Sequence, residues 1–129
     1  MLRIAKNAAL TDIVSTDGSN PINTQHPIAG SSVEQRVFLF NDDEAKRYES
    51  VSVDPTDSTG GDESAWMQLA PDNAGSAGAY GDSGAALNMG NIADTTGHPF
   101  WVRVTTPAVA DSQNKTDIKL TVTGTEFAV

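Results

Sequence analysis

An all-β chain folded as a two-sheet sandwich of about seven strands is what this sequence predicts, on three observations. The stretch Phe100-Trp101-Val102-Arg103-Val104-Thr105 alternates apolar and polar residues at the two-residue period of an extended strand. Gly97-His98-Pro99 punctuates its start and Pro107 its end, where a missing backbone donor is best tolerated. Similar runs frame it upstream at Val33 to Phe40 and downstream at Asp117 to Thr123, with turn formers between. No helical pattern survives a count against its strand alternative, and no repeat of domain-building length recurs. A jelly roll or a barrel are the variants of the same idea.

The elements follow in order. Residues 1–30 form an N-terminal arm or edge segment, and residues 31–129 the sandwich domain. Leu2 and Ile4 sit in a short apolar start, read either as an edge strand of the same domain or as an arm reaching a neighbouring subunit. Ser15 to Pro21 is dense in turn formers and reads as a loop, and Ile22 to Ile28 as an irregular edge between prolines. Val37, Phe38, Leu39 and Phe40 are apolar on both strand faces. Such a run needs two covers, one in the core and one from the chain itself or a partner. Val51-Ser52-Val53 is a clean alternating strand read as ending at Asp54-Pro55. Thr56 to Ser64 is too polar to fold alone and reads as a mobile loop. Ala65 to Ala70 reads as a strand bringing Trp66 to the core, and Asp72 to Gly84 as a long loop. Leu87 and Met89 alternate within the next strand, Asp111 to Lys115 makes a polar turn, and the last strand starts at Ile118 and extends towards Phe127.

Composition narrows the function classes. The 129 residues are one domain's worth, 38% hydrophobic and 6% aromatic, which predicts a thin core. Eight basic residues against 17 acidic ones give a net charge of −9, which repels phosphate backbones and argues against nucleic-acid binding. Cysteine is absent, so disulfides, thiolate metal sites and cysteine nucleophiles are excluded. Asn7, Thr11 and Asp12 interrupt the apolar start, and no stretch reaches membrane-spanning length. The expectation is a protein made without export by the usual signal and with no membrane partner.

Catalytic chemistry finds little purchase. His26 and His98 are the only histidines, no nucleophile-elbow pattern accompanies them, and His98 beside Pro99 reads as a turn residue at a strand entrance. Nine acids against two bases lie between Asn41 and Asp72. Asp54, Asp57 and Asp62 are the candidates for a calcium site on flexible loops, set against a plain solvated rim. A paired-carboxylate glycosidase lacks an aromatic-lined subsite to go with it.

Trp101 carries more. If Phe100, Val102 and Val104 face the core, Trp101, Arg103 and Thr105 face outwards, and an exposed Trp-Arg pair has the composition of an interface hot spot. The alternatives are a reversed register or loops of the same chain lying over it.

Two resemblances go with these residues. Phe40-Asn41, the Val51 to Val53 strand, the Trp-containing segment Ala65 to Leu69, the Phe100 to Val104 strand and Asp117-Ile118-Lys119-Leu120 recur in the order seen in immunoglobulin-like modules, over about Ser31 to Thr123. The closing half, from Phe100 to Thr105 with Pro107 and Gln113 to Leu120, resembles virion structural proteins of tailed bacteriophages, specifically capsid-decoration or tail-associated proteins. That resemblance implies an immunoglobulin-like sandwich without catalytic residues or cofactor. It implies a component that cements the outer shell by docking on a major capsid or other virion protein, oligomeric, assembled in the host cytoplasm and carried in the virion. Trp101, Arg103, Thr105, Leu2 and Ile4 are its interface candidates. A carbohydrate- or cell-surface-adhesion module is the first rival, and a small hydrolase the second.

Overall fold

A computed structural model of the chain describes residues 1–14, 24–26, 31–57, 66–82, 84–106, 113–115 and 118–129. They form ten strands: β1 (Leu2–Ala5), β2 (Thr24–His26), β3 (Ser31–Asn41), β4 (Lys46–Asp57), β5 (Met67–Asn73), β6 (Ser76–Ala77), β7 (Leu87–Ile92), β8 (His98–Thr106), β9 (Gln113–Lys115) and β10 (Ile118–Ala128). No described residue lies in an α-helix. One sheet has the order β1-β3-β8-β5-β6 and the other β10-β4-β7, while β2 and β9 pair with each other. Every pairing is antiparallel. The all-β sandwich expectation holds. From β3 onwards the chain changes sheet at almost every connection, so the pairings are long-range in sequence.

The alternation read in β8 is the alternation seen. Phe100, Val102 and Val104 are buried, together with Ile4, Val37, Leu39, Met67 and Leu69 from the same sheet. Tyr48, Val51, Val53 and Ile92 come from the smaller sheet to meet them, and Leu120 and Val122 of β10 pack at the margin. Removing such side chains from water is the main driving force available to a chain with no disulfide and no bound metal ligand set of cysteines.

Several boundaries differ from the sequence reading, each for a local reason. β4 continues through Pro55 to Asp57, paired with β10, because the pairing of β7 ends at Val53–Leu87 and no ladder needs the missing Pro55 N–H on that side. β5 likewise runs through Pro71. The Pro71 carbonyl accepts from Gly78 N–H at 2.8 Å, so the ring's absent donor lies on the sheet's margin and costs no central ladder bond. Trp66 stands just before β5 and packs half-buried against the core.

Residues 72–84 are not one long loop. β5 and β6 form a hairpin whose two central residues, Ala74 (φ 54°) and Gly75 (φ 93°), both have positive φ, the backbone of a type I′ turn. Ala74 lacks the turn preference of Asn or Asp, and the signal was lost with it. The expected loops Ser15 to Pro21 and, beyond Asp57, Thr56 to Ser64 lie outside the described residues, as do Asp111 and Ser112, whereas Gln113–Lys115, expected in a polar turn, form β9 paired with β2.

The N-terminal start is a strand of the sandwich itself. β1 pairs with β3 from Leu2–Asn41 to Ala5–Phe38, and Ile4 is buried at 5% exposure, which leaves its side chain no surface to offer a neighbour. The chain then folds back: Lys6 N–H donates to Asp12 O, Ala5 bridges with Ile13, and Val14 N–H donates to Ile4 O. Asn7 ties this return together, its carbonyl accepting from Thr11 and Asp12 N–H.

Candidate docking face

The outward side of the five-stranded sheet is assembled by register. Arg103 of β8 lies opposite Glu34 of β3 and Gln68 of β5, while Trp101 lies opposite Arg36 and Ala70. Thr105 faces Ser32, and the two hydroxyls sit 2.8 Å apart. Cross-strand neighbours at this spacing interact directly.

Two networks hold the central side chains. In the first, the Trp101 indole N–H donates to Asp72 Oδ1 at 2.9 Å, and Arg36 Nε lies 3.2 Å from the same oxygen. Gly75 N–H also donates to Asp72, whose side chain is only 12% exposed. The Trp101 hydrogen bond, aided by Gly75 and Arg36, holds the Asp72 carboxyl below the ordinary carboxylate range. Arg36 additionally lies over the Phe38 ring, 5.1 Å from its centroid.

In the second network, Arg103 donates from Nε and a terminal nitrogen to Gln68 Oε1 at 3.1 and 2.8 Å. Its guanidinium stacks on Tyr80 with 4.0 Å to the ring centroid. The Tyr80 hydroxyl donates to Glu34 at 3.1 Å. Burial, reinforced by that acceptor, pushes the Tyr80 hydroxyl up to about 12, against the opposing pull of Arg103. Tyr80 arrives here because the chain after β6 runs beside β5, with Gly81 and Gly84 N–H donating to Leu69 and Met67 carbonyls.

Loops of the same chain therefore cover both ends of the face. At one end Leu10, held at φ 60°, reaches towards Gly97 and Phe38. Ala5 and Phe40, which alternation places on this side, are buried there. That supplies the second cover which the apolar run Val37 to Phe40 requires. At the other end lies Tyr80. Between them Trp101 and Arg36 remain half-buried and reachable.

Of the residues singled out from sequence, Trp101, Arg103 and Thr105 share this face. Leu2 and Ile4 do not: Leu2 packs against the core from β1 and Ile4 is inside it. Sequence reasoning missed Arg36 and Glu34, although their two-residue spacing in β3 with Phe38 marks one face. Asp72, Gln68 and Tyr80 had no such signal, since only the β5–β8 pairing brings them in.

The remaining candidates are placed elsewhere. His98 Nε2 lies 3.0 Å from Asp94 Oδ1, and Thr96 Oγ1 donates to the same carboxylate at 2.8 Å. The hydroxyl thus bonds the acid and not the imidazole, which is the wrong order for a relay to a nucleophile. Asp94 is held below its usual range by Thr96 first and His98 second. In the acidic stretch, Asp42 is bound by the N-terminal amine and Arg3, and Asp43 caps Ala45 N–H. Buried Asn41 organises that turn by donating to the carbonyls of Asp43 and Lys46. Asp54 lies on β4, Asp62 falls outside the described residues, as does the side chain of Asp57. Among the described residues no three acids or histidines converge to hold a metal.

No protein-family model matches the chain, and comparison with curated proteins and with solved structures finds no match.

Proposed function

We propose that this domain is a non-enzymatic structural component of a phage particle, a capsid-decoration or cement protein that docks on the outer shell. The observation that carries the docking part is the composition of one sheet face. Trp101, Tyr80 and Phe38, with two of the chain's four arginines, Arg36 and Arg103, stand on a rigid antiparallel platform. Trp, Tyr and Arg are the residues that dominate binding energy at protein interfaces. Here the Trp101 indole, the Tyr80 hydroxyl and both guanidinium groups already bond within the chain, so little side-chain freedom is lost when a partner covers them. Trp101 is the anchor, Arg36 and Arg103 flank it, and Thr105 lies at the rim. The partner is a major capsid or other virion protein; the domain self-associates, and uses no cofactor, nucleic acid or membrane. The phage assignment rests on the resemblance of the closing half of the sequence.

One observation also favours a carbohydrate- or cell-surface-adhesion module: three aromatic residues grouped on one face, which is what sugar rings stack on. Particle co-sedimentation separates the two readings. Trp101→Ala is expected to weaken binding to shells of the phage whose genome encodes the chain by at least about 2 kcal/mol, the hot-spot threshold. Unchanged shell binding by that variant, or wild-type binding to glycan arrays and none to shells, overturns the decoration reading.

A further inference from the structure

We propose that the open edge of β10 pairs with β10 of a second copy, antiparallel about a two-fold axis through Thr123, joining two three-stranded sheets into one of six. This specifies the self-association in the proposed function and rests on that reading only there.

The four margins of the two larger sheets are treated very differently. Beside β1 the chain returns as the Ala5–Ile13 bridge, and beside β5 it runs as β6 and then the Gly81 and Gly84 contacts. β7 is six residues long, interrupted by Gly90 at φ 73° and by two irregularities in its register with β4. Covering, shortening and bulging are the usual ways to blunt an edge. β10 is not shortened, and its one register shift with β4, between Thr123 and Thr125, falls where β4 supplies the extra residue Ser50. β10 is eleven residues long, contains no proline, and among the described residues pairs only with β4.

Its open side is also fit for pairing. Val129 N–H donates to Ala45 O, so odd-numbered residues turn their backbone groups to β4 and even-numbered residues turn theirs outwards. Residues 118, 120, 122, 124, 126 and 128 then present donors and acceptors in a row. Phe127 and Val129, at 38% and 79% exposure, are two of the three exposed large hydrophobics among the described residues.

Self-complementarity selects the occupant. With Thr123 opposite its own copy, all eleven positions are matched: 118 with 128, 120 with 126, 122 with 124. Thr121 faces Thr125 of the second copy, and threonine pairs of this kind are favourable. The chain carries −9, yet this strand holds one Lys119 and one Glu126, and the register sets neither opposite a like charge. It is a place where two such acidic molecules can meet without repulsion.

The absence of cysteine makes the register directly testable. Odd-numbered residues form non-hydrogen-bonded pairs across the axis, with Cα atoms about 4.5 Å apart, a distance a disulfide accepts. Thr123→Cys is expected to cross-link with itself on oxidation. Thr121→Cys and Thr125→Cys are expected to cross-link only when mixed. In sedimentation the parent should run as two copies, and Thr123→Lys as one copy with an unchanged melt. An equimolar mixture of Thr123→Lys and Thr123→Glu should recover the pair. A parent that stays a single copy at every concentration overturns the pairing, as does a dimer indifferent to Thr123→Lys or cross-linking by Thr121→Cys alone. Shell binding retained by a single-copy Thr123→Lys leaves docking standing apart from the pairing, whereas pairing without shell binding overturns the docking alone.

Discussion

The two sheets of this sandwich finish their exposed surfaces in opposite ways. The five-stranded sheet is closed: its margins are covered, and loops carrying Leu10 and Tyr80 lie over its outward side. The three-stranded sheet is open, with hydroxyl-rich surface such as the Ser52–Thr123 pair (2.9 Å) and a margin at β10 that no other strand among the described residues covers. The cause lies in β3. A strand apolar on both sides demands a second cover, and the short loops available were spent there. β4 and β10 turn one face to the core and need only that one cover. Stability is therefore expected to concentrate in the closed sheet, and association in the open one.

The strongest way to break that comparison is inside the core. Phe100 is fully buried on β8 at the centre of the closed sheet. Phe100→Ala should cost about 3–5 kcal/mol, measured by denaturant unfolding, and leave a chain barely folded. A cost near that of an exposed residue would mean β8 is not the strand on which the core is built.

A smaller effect is expected in the open sheet. The register of β4 with β10 shifts between Thr123 and Thr125, where Ser50 (φ 53°) supplies an extra residue. Gly124 sits across from it, and a Cβ there would lie 3.0 Å from Val51 Cγ2. Gly124→Ala should destabilise by about 1–3 kcal/mol, the range for overpacking, read as a lower unfolding midpoint. No change would show that the sheet yields freely at this irregularity.

These two positions also show what could be read from sequence. Phe100 was legible because a two-residue period needs only its own strand. So was the extension of β10 past Gly124, because Phe127 resumes an apolar signal after the turn former. Asp72 was not legible as a partner of Trp101: it is 29 residues away and meets it only through strand pairing. Prolines at 55 and 71 read as strand ends from sequence alone, since a sequence does not tell which side of a strand lacks a neighbour. The return of residues 6–14 along β1 is held by Asn7 and by backbone bonds, which leave no hydrophobic period to detect.

The charge network on the closed face is sharpened by acid. Asp72 titrates below its unfolded value of 3.8 because of Trp101, Gly75 and Arg36. Its contribution to stability is thus present above pH 3.8 and is lost as pH falls through the lower native value. Trp101→Phe keeps an aromatic ring but removes the indole donor. Melting temperatures followed from neutral pH downwards should fall less steeply on acidification in Trp101→Phe than in the parent. Parallel curves would show that Trp101 does not hold the Asp72 carboxylate.

The smallest effect, and the most diagnostic for the loops, is the titration of the two tyrosines, one on each sheet. Tyr48 of β4 is buried and donates to Glu126 of β10 at 3.1 Å, and burial first and Glu126 second raise its hydroxyl above 10.0. Tyr80 belongs to no strand, yet it is raised to about 12 because it lies over Arg103 with its hydroxyl on Glu34. A group raised on folding stabilises the native state fully below its unfolded value and loses that contribution as pH climbs through the native one. For Tyr80 the window runs from 10.0 to about 12. In Tyr48→Phe only one tyrosine remains, so tyrosinate absorbance, followed with circular dichroism to confirm the fold, should show a single midpoint near 12. Adding Glu34→Gln should lower that midpoint without restoring 10.0, because burial is the larger cause. A native midpoint of 10.0 in Tyr48→Phe would place Tyr80 in solvent and leave Arg103 uncovered. The closed sheet would then be open at this end too, and the contrast between the sheets would rest on the N-terminal loop alone.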